Sequence, residues 1–425
     1  MASVTNHGHH HYQHADPGTD GLLPQRHDHL TSSRVERRLW IAVAVCAALT
    51  VVGLIVLWPR GSLTTSLDAT TLFGRRDEAV VLTSAIGPCS YDPIAGCHEV
   101  TIQLESGERK GTDVNWEIPY TPGVRSYSAG DEMYVYESRG VDGSYTYEFA
   151  DYRRDVPLLL LSLIFIVAVL ALARWKGAGA IGGLVASMLV LAVFMLPSLI
   201  RGHNAVLVAL VGSSVIAFIA LYLAHGVNIA TTVALLATFA SLALIGLLAW
   251  IFVVAANFTG FTEDSSFVLS SLGIQVDARG LLLAGIVIGS LGVLDDVTVT
   301  QVSAVWELRQ LQPNASRQEI YRSAINIGRD HISSTVNTLF LTYAGAALPL
   351  LLLFTVAGQA FSQVATGEIV ATEIVRALVG SIGLVASVPI ATWMAATVLT
   401  SQPALPQSLD QPAKARLNTA TDTGG

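Results

Sequence analysis

Residues 281–300 read LLLAGIVIGSLGVLDDVTVT, an apolar stretch long enough to cross a bilayer that nonetheless carries two adjacent carboxylates, Asp295 and Asp296. About 20 residues of helix, rising about 1.5 Å each, match a hydrocarbon core about 30 Å thick. One Asp near the centre of such a helix costs about 2.5 to 3.5 kcal/mol on insertion scales, so acids there face a bundle interior or water. Counting from Arg279 puts the pair roughly 24 Å along the helix, past the midplane. Gly285, Gly289, Gly292, Asp296, Thr300 and Ser303 recur every three or four residues and share one helical face. Asp295 points about 100° away from it. Gly285 and Gly289 form a GxxxG pair, and with Gly292 they predict a close helix contact that brings a neighbour to Asp296. Two like charges this close cannot both ionise cheaply in a low dielectric, so one of the pair is expected to bind and release a proton. The same offset argues against an intramembrane aspartyl protease, whose two carboxylates must face each other.

The rest of the chain has the same character. Of 425 residues 52% are hydrophobic and only 13% charged, and the mean hydropathy is +0.54, which excludes an ordinary soluble domain. Apolar segments fall at 40–58, 156–173, 178–196, 205–223, 229–256, 281–303, 332–354 and 374–399. The first is flanked by Trp40 and Trp58, residues that favour bilayer interfaces. It is too long for a secretory signal and is expected to stay as an anchor. Between the first two segments lie most of the tyrosines and alternating runs such as 99–105, EVTIQLE, and 132–137, EMYVYE, which predict short strands. The expected fold is an all-α polytopic transmembrane bundle of about eight helices with a small extracytoplasmic, OB-like β-barrel domain inserted after the first span. The divisions are a disordered, His-rich cytoplasmic tail at 1–39, the first span at 40–58, the β domain at 59–152, a seven-helix membrane domain at 153–400 and a cytoplasmic tail at 401–425. Orientation follows the basic residues. Arg34, Arg37, Arg38, Arg174, Lys176, Arg309, Arg317, Arg322 and Arg329 fall on the side assigned to the cytoplasm, and Arg201, Arg279 and Arg376 on the other. Both termini are thereby expected in the cytoplasm and the chain in the plasma membrane.

Further candidates surround the acidic span. In the next one, Ser334, Thr338, Thr342 and Gly345 form a polar stripe, with Asn337 beside it and His331 at its cytoplasmic mouth. Hydroxyls, an amide and an imidazole can relay protons or gate an ion, although hydroxyls also serve as plain helix glue. Residues 306–328 read as a helical hairpin broken at Pro313-Asn314 and restarted by Ser316 as N-cap with Glu319 three residues on. Cys89 and Cys97, in the outward domain, are expected to pair across a turn-rich loop. The histidines at 7, 9, 10, 11, 14, 27 and 29 would bind metal only weakly, and the spans offer no ligand set, so no metal or cofactor is expected. No enzyme motif is visible. A net charge of -8 argues against nucleic acid. The expected partners are the lipid bilayer and a small-molecule or peptide substrate, with a homo-oligomer allowed.

At 289–307, GSLGVLDDVTVTQVSAVWE, and 323–338, SAINIGRDHISSTVNT, the sequence resembles the YibE/F family of bacterial multi-pass membrane proteins. The resemblance covers the layout from the first span to the last and implies a bacterial plasma-membrane protein. The order of outward barrel, acidic Gly-rich span, hairpin and Ser/Thr-rich span is also similar to half of a SecD/SecF or resistance-nodulation-division exporter. That analogy implies use of the proton gradient at Asp295 and Asp296. Two functions follow as expectations: a proton-coupled transporter or exporter, not an enzyme, in which the Asp pair carries protons and His331, Asn337 and Thr338 relay or gate them; and a noncatalytic scaffold or assembly factor whose outer domain binds a partner.

Overall fold

In the computed structural model the described residues are 33–60, 75–89, 96–120, 126–140, 143–261, 277–358 and 360–400. The His-rich stretch before 33 and the tail after 400 lie outside them. Residues 33–39, assigned above to the N-terminal tail, are helical, the first turns of α1 (Ser33–Leu57).

Five strands follow: β1 (Arg75–Pro88), β2 (Gly96–Leu104), β3 (Asp113–Pro119), β4 (Glu132–Arg139) and β5 (Tyr145–Tyr152). They form one antiparallel sheet in the order β3-β2-β1-β4-β5. The long β1 serves both halves. Its first part pairs with β4, its second with β2, and a bulge between Val81 and Thr83 lets it bend between them. Alternation puts Ala79, Val81, Val100, Ile102, Leu104, Met133 and Val135 inside. The expected barrel is not closed. β3 and β5 remain edges, and side chains fill the gap, with Trp116 stacked on Phe149 at 6.2 Å and Tyr127 set edge-on to Phe149. Four bulky rings with Tyr152 hold the edges further apart than ladder pairing requires. Inside the half-barrel Arg75 donates to both Asp77 and Glu137, and the Tyr147 hydroxyl donates to Glu137 at 2.7 Å. Cys89 and Cys97 are joined as a disulfide between the end of β1 and the start of β2.

The helical part comprises α2 (Asp155–Ile200), α3 (Ala205–His225), α4 (Ile229–Ala255), α5 (Ala278–Leu311), α6 (Arg317–Ala346), α7 (Leu348–Val356), the single-turn-and-a-half α8 (Phe361–Thr366) and α9 (Glu368–Leu399). Among the described residues six helices are long and apolar enough to cross a membrane, and the α6–α7 pair, bent by 57°, makes a seventh if it counts as one span. This differs from the eight apolar segments of the sequence because 156–173 and 178–196 lie on one 46-residue helix, α2. That helix is interrupted. Arg174 sits at φ 50°, ψ −127°, a conformation costly for a residue with a Cβ, and the helix axis breaks there. A wider π turn at Val190–Met195 precedes Pro197, which cannot donate its own helical hydrogen bond.

The α5 helix is the most buried of the long helices and packs against α3, α4, α6 and α9, whereas α1 and α2 are nearly bare along their apolar stretches. Two ties gather the chain around its start. The Arg279 guanidinium donates to the Phe258 carbonyl, while Glu368 at the start of α9 accepts from the Thr259 and Gly260 amides. At the other end α5 runs on to Leu311, and α6 restarts on a complete capping box between Ser316 and Glu319, as the hairpin reading expects.

Candidate functional site

The acidic pair is divided between two environments. Asp295 is half-buried, with Thr238 of α4 beside it, and its Oδ1 is enclosed without a partner among the described residues. Thr238 also lies 2.8 Å from the Thr298 hydroxyl, which ties α4 to α5 at the same level. Asp296 is exposed, one helical step away, on the face that also exposes Gly289, Gly292, Thr300 and Ser303.

The glycine face is not packed against a neighbour as expected. A Cβ at Gly285 or Gly292 would meet nothing within 4 Å, and at Gly289 only the Tyr343 hydroxyl at 3.4 Å. Close glycine contacts occur elsewhere: Gly183 of α2 against Ala220 of α3, and Gly383 of α9 against Ile245 of α4. GxxxG spacing permits a close approach but does not decide which face of a helix receives one.

What the glycine face borders is a groove of about 520 Å³, walled by α2 from Ala180 to Leu191 and by α3 from Ile216 to His225, with Gly292, Asp295, Asp296 and Thr300 of α5 along it. A second cavity of about 260 Å³ adjoins it toward the α2 break, lined by Lys176, His225, Asn228, Ser303, Trp306 and Glu307 among others. His225, Ala224 and Val299 line both. The His225 ring lies within electrostatic reach of Lys176 on one side and Asp296 on the other. Titratable groups thus line both adjoining cavities: Asp295 and Asp296 the groove, Lys176 and Glu307 the second cavity, and His225 both.

His331, Asn337 and Thr338 do not line either cavity. The α6 helix meets α5 and α9 through its apolar face, where Ile332 and Val336 pack on Val297, Leu384 and Val388. The Thr338 hydroxyl donates back to the Ser334 carbonyl at 3.0 Å and Thr342 to that of Thr338 at 2.8 Å, so both are satisfied within their own helix. Asn337 is exposed, and His331 is half-buried with Nε2 unpartnered among the described residues. The sequence reading missed His225, Lys176 and Thr238. His225 had a signal, a titratable residue ending an apolar run just before Gly226, but nothing in sequence spacing links it to residue 296.

Among the described residues the one trio close enough to share a metal ion is Cys89, Cys97 and Glu117, and the disulfide occupies both sulfurs.

The arrangement around the Asp pair lies within a region, residues 161–401, that matches the family described as YibE/F-like protein. The chain belongs to the YibE/F family. The match covers more than half of it and takes in the acidic span, the capped hairpin and the last helix of this YibE/F protein. With its long apolar helices, the family match fits a membrane protein that crosses the bilayer several times. No curated protein and no solved structure matches the chain.

Proposed function

We propose that this YibE/F protein is a proton-coupled secondary transporter or exporter of the bacterial plasma membrane. The observation that carries the reading is the placement of Asp296 in an open groove inside an apolar helix bundle, with His225 between it and a second polar cavity. A carboxylate so placed is costly as filler, and one that reaches water through a titratable imidazole can exchange protons. The roles divide accordingly. Asp296 is the carrier, Asp295 beside Thr238 is its electrostatic neighbour, and His225 takes the relay position first assigned to His331, Asn337 and Thr338. A proton falling through 100 mV releases about 2.3 kcal/mol, enough to bias two arrangements of packed helices.

In the same reading the break at Arg174 divides α2 into two spans. This gives eight crossings, with both termini in the cytoplasm and the half-barrel outside, the orientation the basic residues favour. The Lys176 and Glu307 cavity then opens on the cytoplasmic side.

Reconstitution into liposomes with a pH-sensitive dye inside tests this. Wild-type protein moves protons down an imposed gradient, and Asp296→Asn protein of equal thermal stability does not. A scaffold whose bundle only anchors an outer domain would tolerate the substitution.

A further inference from the structure

The cavity beside His225 holds an unusual set of unused groups. Lys176 projects from α2, just past the break at Arg174, and Glu307 from the far end of α5. The two are exposed and line one cavity of about 260 Å³ from different helices; among the described residues no ion pair joins them, and Lys176 lies within electrostatic reach of His225.

Trp306 borders the same cavity, but its ring is almost wholly enclosed, at 1% exposure, and its Nε1–H, without a partner among the described residues, is closed off from the space. The neighbouring amide is taken: Asn228 accepts from the Thr231 amide at 2.8 Å and donates to the His225 carbonyl at 3.0 Å. The groups left for a ligand are one cation, one anion, the His225 imidazole and the Ser303 hydroxyl.

We infer that this cavity binds a small zwitterion of amino-acid type, with its carboxylate on Lys176 and its ammonium on Glu307. A simple anion would meet Glu307, and a simple cation would meet Lys176; only a ligand carrying both charges is complementary to both walls. The volume agrees, since at about 30 Å³ per water it accommodates roughly eight heavy atoms. The inference rests on the transport reading only in treating the site as the substrate's port; the binding itself is independent of proton movement.

Full-length protein in phosphatidylcholine nanodiscs, titrated with glycine and L-alanine and followed by tryptophan fluorescence and thermal unfolding, tests it. Acetate and methylammonium serve as single-charge probes. Saturable binding of the amino acids is expected at concentrations where neither fragment binds. Lys176→Gln and Glu307→Gln, both at exposed positions, each weaken it about tenfold or more. Absence of saturable binding overturns the inference and leaves a water-filled vestibule. Acetate binding that Glu307→Gln leaves unchanged overturns it in favour of an anion site. Amino-acid binding without any wild-type proton movement upholds the site and removes the coupling.

Discussion

The hydroxyls of Thr238 and Thr298 lie 2.8 Å apart in the buried seam between α4 and α5, with Asp295 half-buried beside Thr238. Asp295 thus sits against the tied seam, while the exposed Asp296 stands outside it. The structural and functional burdens of the two acids are therefore separable.

Thr238→Val keeps the shape of the side chain but removes the hydroxyl that ties α4 to Thr298 of α5, leaving the Thr298 hydroxyl with the Asp295 carbonyl alone. It is expected to cost about 0.6 to 1.7 kcal/mol, the range of interhelical hydrogen bonds in membranes. Asp296→Asn should stay within about 0.5 kcal/mol of wild type. Thermal unfolding of the two purified variants measures the difference, and equal losses would contradict the assignment.

The glycines make an opposed pair of tests. Gly292 faces open space, so Gly292→Ala should be neutral or should stabilise by about 0.5 to 1 kcal/mol through helix propensity. A Cβ at Gly383 would run into Ile245, and Gly383→Ala should cost about 1 to 3 kcal/mol through overpacking. A marked loss for Gly292→Ala would show that a further element or second copy fills the groove in the intact membrane protein.

In the half-barrel, burial first and then the bond to Glu137 push the Tyr147 phenol up from 10.0 to about 12. The fold thus favours the protonated phenol. Its contribution is complete below about pH 10 and is lost as pH rises through about 12. The stability of the half-barrel to chemical unfolding within the full chain should fall over that window, and Tyr147→Phe should flatten the slope. A slope unchanged in Tyr147→Phe would place its origin elsewhere.

Much of this was legible in the sequence where local rules govern. Ser316 and Glu319 announce a capped helix start because both partners lie within one turn, and the alternation at 99–105 marks a strand whose buried side is set by its pleat. What depends on facing was not legible. The helical period places Gly285, Gly289, Gly292 and Asp296 together but is silent on whether a helix or a groove lies opposite. It likewise makes a polar stripe of Ser334, Thr338 and Thr342, although α6 turns the other, apolar side to its neighbours. His225 joined the site only through the packing of α3 beside α5, a contact with no signature along the chain. Barrel closure failed for a similar reason, since strand count does not reveal that Trp116 and Phe149 fill the gap between the edges.

The most direct measurement is infrared difference spectroscopy of the purified full-length protein as the pH is swept through neutrality. The account predicts a carboxylic-acid C=O band that grows on acidification, falls sharply in Asp296→Asn, changes less in Asp295→Asn and titrates differently in His225→Gln. Wild-type spectra in all three variants would contradict proton exchange at the acidic pair.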